Sequence, residues 1–182
     1  MTIDKPAKVA IAPARMGWWN AGSHMGSDSD VSMVIGNNTL ISHFSIPGGV
    51  PSFSPANALR EGKKRGLKLI VIDPRKSEVA ARADLHLQVR PGQDAALLAA
   101  IIQIVIREKL YDQAFCEEHT RGFTELDAAT RAFTPEAAAA ATDIPVEQIY
   151  QAARIFGAGP RGSAVTGTGP EMGPHPNLVQ HL

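Results

Sequence analysis

Four consecutive aliphatic residues, Leu69-Ile70-Val71-Ile72, limit the folds open to this chain more than any other feature. A strand with one face in water alternates apolar and polar residues. An unbroken short run instead suits a central strand of a parallel sheet, covered on both faces. Asp73-Pro74-Arg75-Lys76 follows at once, so proline ends the pairing and leaves an acid and two cations at the strand tip. A second run, Leu85 to Val89, leads to Pro91-Gly92-Gln93-Asp94 and then directly into a long helix. Ligands of open α/β sheets bind beyond the carboxyl ends of the strands, so both tips belong to one candidate crevice. Nucleotide binding is the first functional hypothesis.

The flanking sequence extends this pattern. Lys8 to Ala12 suggests a first short strand, and Met16 to Asp30 reads as loop. Val31 to Ile35 reads as a strand closed by Gly36-Asn37-Asn38, and Thr39 to Phe53 as a long Pro/Gly loop. Ser54 as N-cap, Pro55 at the first helical position and Gly66 after Lys63-Lys64-Arg65 frame a helix from Pro55 to Arg65. The strand Lys68 to Ile72 follows, completing a strand–helix–strand crossover between parallel strands. Ser77 to Ala81 predicts one or two helical turns. Asp94 starts a helix to about Lys109, its acid placed favourably for the helix dipole. That helix is apolar almost all round, which predicts burial between layers.

From Tyr111 the pattern changes to helices alone: Asp112 to Glu118, Thr124 to Phe133, Pro135 to Ala141 and Val146 to Phe156. Gly157 to Pro160 breaks the run. Ser163 to Val165 then reads as a strand, Gly167-Thr168-Gly169-Pro170 as its loop, and Asn177 to Leu182 as a last helix. The expected architecture is a doubly wound, mainly parallel α/β domain over residues 1–182, Rossmann-like, with a small helical insert at about 111–156.

Charge and composition exclude other classes. Lysine and arginine number 18, as do aspartate and glutamate, and this balance gives no general attraction to nucleic acid or anionic lipid. The longest apolar stretch, Ala95 to Ile106, is too short for a membrane span, so direct membrane insertion is not expected. Cys116 is the single cysteine, which excludes an internal disulfide and a CxxC metal pair. The six histidines show no metal-ligand spacing, and no metal-binding residue is assigned.

Four strand tips carry the candidate chemistry. Gly36 lets a backbone amide approach a phosphate, and Asn38 offers both a donor and an acceptor. Asp73 suits two ribose hydroxyls, and Arg75 or Lys76 can neutralise phosphate. Asp94 suits guanine, because one carboxylate can accept from N1–H and the exocyclic amine together. Taken singly each has a plainer reading: Asn38 as a turn residue, Asp94 as a helix cap, Asp73-Pro74 as a turn, Gly167-x-Gly169 as a flexible loop.

The stretches Met33 to Thr39, Leu69 to Arg75 and Ala83 to Asp94 resemble the molybdopterin oxidoreductases of the dimethyl sulfoxide reductase family, to which formate dehydrogenases and nitrate reductases belong. Tyr111 to Phe115 and His119 to Phe123 resemble the family's helical insert. Thr39 departs from the pattern, standing where the family usually has proline. The resemblance implies binding of a bis(molybdopterin guanine dinucleotide) cofactor with molybdenum or tungsten. Cofactor-binding residues carried over by position are Gly36, Asn37, Asn38 and Thr39; Ile72, Asp73, Pro74, Arg75 and Lys76; Gly92, Gln93 and Asp94; and, near the pterin, Thr168 and Met172. It assigns no catalytic residue, because the family's metal ligand comes from a segment outside this stretch. The chain is expected to be an internal fragment of a larger enzyme, inactive alone. Its partners would be the remaining domains and, as a further candidate, an iron–sulfur electron-transfer subunit. A cytoplasmic location is expected, and a periplasmic one would need a signal upstream.

Two other classes compete. A free-standing NAD or other dinucleotide-binding domain would show a glycine-rich fingerprint opening a helix, and Gly36-Asn37-Asn38 is followed by a Pro/Gly loop instead. An interaction module that has lost its ligand would not need Asp73, Arg75 and Asp94.

Overall fold

The computed structural model describes residues 29–42 and 54–182. The expected strand at Lys8 to Ala12, most of the loop Met16 to Asp30, and residues 43–53 of the long loop lie outside the described residues. Four strands, β1 (Val31–Ile35), β2 (Lys68–Ile72), β3 (Leu85–Leu87) and β4 (Gly162–Thr166), form one sheet in the order β3-β2-β1-β4. Every pairing is parallel, with Ile35 opposite both Ile72 and Thr166. Successive strands step outward from β1 to β3, and the chain then crosses to the other side of β1. This is the strand order of dinucleotide-binding sheets, with its switch point between β1 and β4.

The unbroken apolar run of β2 is explained by the two layers that cover it. Ile70 and Ile72 join one core cluster with Met33, Ile35, Leu97 and Ile149, while Leu69 and Val71 join a second with Val34, Leu59 and Val79. Alternate residues of a strand point to opposite faces, so two apolar layers require apolar residues at every position. All four side chains are fully buried, each stabilising the fold by about 1.5–3 kcal/mol.

The helices follow the sequence signals closely. After the short α1 (Thr39–Ser42), α2 (Pro55–Lys64) is capped by Ser54, whose Oγ accepts from the Asn57 N–H. The apolar α3 (Asp94–Arg107) packs on α6 (Pro135–Thr142) and α7 (Val146–Ala158) and shares one core cluster with the sheet; α7 also touches strands β1 and β3. Between them run α4 (Gln113–His119), which buries none of its residues, and α5 (Phe123–Thr130). Two short helices, α8 (Thr168–Glu171) and α9 (Pro176–His181), complete the order.

Several expected boundaries are corrected. Thr39 to Ser42 is a helical turn rather than loop, as is Thr168 to Glu171. The strand expected to reach Val89 stops at Leu87, because the Val89 N–H turns back to the Leu87 carbonyl and Arg90 bonds to Thr142. The turns expected at Ser77 to Ala81 form a 3₁₀ turn at Ala80–Arg82. Helix α7 runs through Gly157 to Ala158, and the glycine there makes room for Leu110, which packs where a side chain would be.

Candidate functional site

The strand order converts four sequence tips into one rim at the carboxyl end of the sheet. From β3 to β4 the order is Gly92-Gln93-Asp94, Asp73-Pro74-Arg75-Lys76, Gly36-Asn37-Asn38-Thr39 and Gly167-Thr168-Gly169. The pairing ladder continues one step past the strands: Asp73 N–H donates to the Leu87 carbonyl at 3.1 Å, Gly36 N–H to Ile72 at 2.8 Å, and Gly167 N–H to Ile35 at 2.7 Å. These bonds hold the tips side by side.

That ladder corrects one expectation. The Gly36 amide is committed to Ile72, so it is not the free donor the sequence suggested. The amides of Asn37 and Asn38 have no acceptor among the described residues and take that place. Gly36 serves instead through its backbone shape. Its φ of 55° lies in the left-handed region, and a Cβ there would stand 2.3 Å from Pro170 Cδ. A Cβ on Gly167 would stand 2.1 Å from the Gly36 carbonyl oxygen. The switch point between β1 and β4 is therefore closed by glycine-to-backbone packing.

The Asn38 side chain donates from Nδ2 to Glu78 Oε2 at 2.5 Å, joining the β1 tip to the segment after β2. Its Oδ1 is shielded from solvent and has no partner among the described residues. Thr39 is buried at the start of α1.

Two carboxylates occupy the other half of the rim. Asp94 is 8% exposed at the first position of α3, and Asp73 is 9% exposed at the β2 tip. Burial pushes the Asp94 carboxyl above its ordinary range; its own backbone N–H opposes this, and the charge of Asp73 adds to the rise. Among the described residues no cation pairs with it. Asp73 Oδ1 accepts from the Arg75 N–H at 2.8 Å, and the Asp73 carbonyl is held by His86 Nε2 at 2.9 Å. Gln88 Nε2 donates to the Pro74 carbonyl at 2.9 Å, fixing the same turn. Arg75 and Lys76 are exposed, and among the described residues neither side chain is hydrogen-bonded or ion-paired. Two buried carboxylates thus face each other across the rim, and two exposed cations follow Asp73 in its turn.

The segment after β4 crosses back over the rim. Pro170 packs on Gly36, and Pro174 reaches Gly92, where a Cβ would lie 3.1 Å from Pro174 Cδ. Thr168 is half-buried at the β4 tip, and Met172 is 64% exposed on this strap. Ile72 is fully buried in the core immediately before Asp73, while Gln93 is the half-buried residue before α3.

Other residues prominent in the sequence are structural. Asp84 accepts from Lys63 Nζ and, at 2.6 Å, from the Leu69 N–H, locking the start of β2 to α2. Cys116 is half-buried on α4, and no group of three metal-ligating side chains occurs among the described residues. No helix among the described residues is long and apolar enough to cross a membrane. Sequence reasoning missed Glu78, whose partner lies 40 positions away, and it missed the return of Pro174 to Gly92. Neither has a local sequence signal.

Comparison with known proteins gives a consistent result. A family model described as molybdopterin oxidoreductase matches residues 19–172. The chain is 36% identical over 130 residues to F420-dependent formate dehydrogenase 1 subunit alpha of Methanococcus maripaludis, covering 71% of this chain and 18% of that protein. It is 34% identical over 142 residues to formate dehydrogenase H of Escherichia coli K12, covering 78% of this chain and 19% of that protein. The solved structure of acetylene hydratase from Pelobacter acetylenicus superposes with a TM-score of 0.82 at 29% identity, covering 95% of this chain and 22% of that one. The chain spans less than a quarter of the length of these relatives.

Proposed function

The chain belongs to the molybdopterin oxidoreductase family, and from that premise we propose that its rim holds one guanine dinucleotide arm of a bis(molybdopterin guanine dinucleotide) cofactor carrying molybdenum or tungsten. The observation that carries this reading is Asp94, a buried carboxylate with a raised pKa and, among the described residues, no paired cation. Guanine presents N1–H and N2–H side by side, and these two donors relieve that burial penalty as no other nucleobase edge does. Asp73 next along the rim takes the ribose hydroxyls. Arg75, Lys76 and the amides of Asn37 and Asn38 take the phosphates, and Thr168 and Met172 border the pterin. The orphaned Asn38 Oδ1 and the exposed cations fit a polar ligand of this kind.

When bound, the cofactor supplies two-electron redox chemistry at its metal, and we assign the parent enzyme to the formate dehydrogenase and nitrate reductase type. The residues of this chain bind and orient the cofactor. We treat residues 1–182 as one dinucleotide-binding unit with its helical insert at about 111–156. Its partners are the remaining domains of the larger enzyme and an iron–sulfur electron-transfer subunit, and the isolated chain has no turnover.

Calorimetric titration with GDP, ADP and NAD tests the reading. GDP should bind at least tenfold more tightly than ADP, and Asp94→Asn should remove that preference. Tighter binding of NAD than of GDP would favour a nicotinamide dinucleotide domain and sink the proposal.

A further inference from the structure

We propose that Glu78 is a positioning residue that fixes Asn38 as a hydrogen-bond acceptor for an N–H or O–H group of the ligand, a role that rests on the cofactor reading above. Asn38 alone can present either end of its amide to a ligand, and the two ends have opposite chemistry. Glu78 removes the choice. An ionised carboxylate only accepts, so the Asn38 NH₂ must turn toward it, as the 2.5 Å contact from Nδ2 to Oε2 shows. Glu78 is well placed to stay ionised: its own backbone N–H, the Asn38 amide, and the charges of Arg75 and Arg82 all hold its carboxyl below the usual range. The Asn38 carbonyl oxygen is thereby turned away from Glu78, to a place shielded from solvent where it has no partner among the described residues. Asn38 as a whole is only half-buried, so the shielding is local to that oxygen. A buried acceptor without a donor is costly, and a ligand N–H or O–H removes the cost.

This assigns the β1 tip two separate tasks. The Asn37 and Asn38 backbone amides are donors and suit phosphate oxygens, whereas the Asn38 side chain rejects phosphate, which has no proton to give at neutral pH. The group it takes is a sugar hydroxyl or base amine from the nucleotide half, or a ring N–H from the pterin half.

A reciprocal exchange tests the assignment on the full chain. The probes are the oxidised, fluorescent form of molybdopterin guanine dinucleotide, followed by anisotropy, and GDP, followed by calorimetry. Glu78→Gln leaves the amide free to turn and should weaken dinucleotide binding about three- to tenfold. Asn38→Asp sets two carboxylates against each other and should weaken it about tenfold or more. The double variant Asn38→Asp/Glu78→Gln rebuilds an amide-to-carboxylate bond with an acceptor facing inward, and should return affinity to within about twofold of the parent chain. Melting curves establish that each variant is folded. Restoration with both probes places the ligand's donor in the nucleotide half, and restoration with the dinucleotide alone places it in the pterin half; both support the assignment. A double variant no better than the weaker single variant overturns it while leaving the cofactor reading intact. A parent chain that binds neither probe overturns the cofactor reading and this assignment with it.

Discussion

Replacing Gly36 by alanine should be among the most damaging single-methyl additions in the sheet. Two costs combine. The residue holds φ at 55°, and placing a Cβ in the left-handed region costs about 1–2 kcal/mol. The new methyl would also stand 2.3 Å from Pro170 Cδ and 3.0 Å from its Cγ. A proline ring has no rotamer by which to move aside, so the strap itself must shift, adding about 1–3 kcal/mol of overpacking. The sum, about 2–5 kcal/mol, corresponds to a fall in melting temperature of roughly 4–20 °C for a chain of this size. Gly92 supplies an internal control. It also has positive φ, at 85°, but its Cβ would stand a looser 3.1 Å from Pro174 Cδ. Gly92→Ala should therefore cost the conformational part with little of the packing part. Thermal unfolding followed by far-ultraviolet circular dichroism compares the two variants at one protein concentration. Equal losses for both would show that contact with Pro170 contributes nothing, and the closed switch point between β1 and β4 would have to be abandoned.

Asp94→Asn should raise the melting temperature of the ligand-free chain near neutral pH. The folded carboxyl titrates above its unfolded value, so its contribution falls as pH rises through that window, and a pH series of melts should show the decline in the parent but not in the variant. Asp84→Ala should destabilise by about 1–3 kcal/mol in urea unfolding, because the Leu69 N–H loses its acceptor, while GDP affinity stays within about twofold. Arg75→Ala should leave the melting temperature within a degree or two, since the side chain is exposed, but weaken GDP about tenfold at low salt and less at high salt. An unchanged affinity for GDP in that variant would remove Arg75 from the phosphate site.

The parts of the fold legible in the sequence are those set by local rules. Continuous burial wrote itself into Leu69 to Ile72, and a side-chain cap wrote itself into Ser54, which accepts from a helix N–H. Asp73, Arg75 and Asp94 were legible as site candidates because strand tips are marked by proline and glycine. What escaped was relational. The strand order follows from which helix covers which face, and the sequence offers no local sign of it. The commitment of the Gly36 amide to Ile72 depends on β1 lying beside β2 in register. Glu78 and Pro174 act across 40 and 82 positions, distances at which periodicity is silent.

Asp84 and Asp94 show why motif residues need their surroundings before they receive a role. Both are aspartates of the same resemblance, ten positions apart at opposite ends of β3. Burial raises the pKa of each, but at Asp84 the hydrogen bonds from Lys63 and the Leu69 N–H outweigh it and the net shift is downward. At Asp94 only its own backbone N–H opposes burial, Asp73 adds repulsion, and the net shift is upward. A carboxylate that the fold has already satisfied contributes stability and has little to offer a ligand. One that the fold leaves buried and only partly compensated lowers the stability of the empty protein, and binding recovers what folding did not. Ligand binding should therefore shift the melting temperature through Asp94 and hardly at all through Asp84. GDP at saturating concentration should stabilise the parent chain and the Asp84→Ala variant equally, and the Asp94→Asn variant much less. An equal shift in all three would place the guanine elsewhere on the rim.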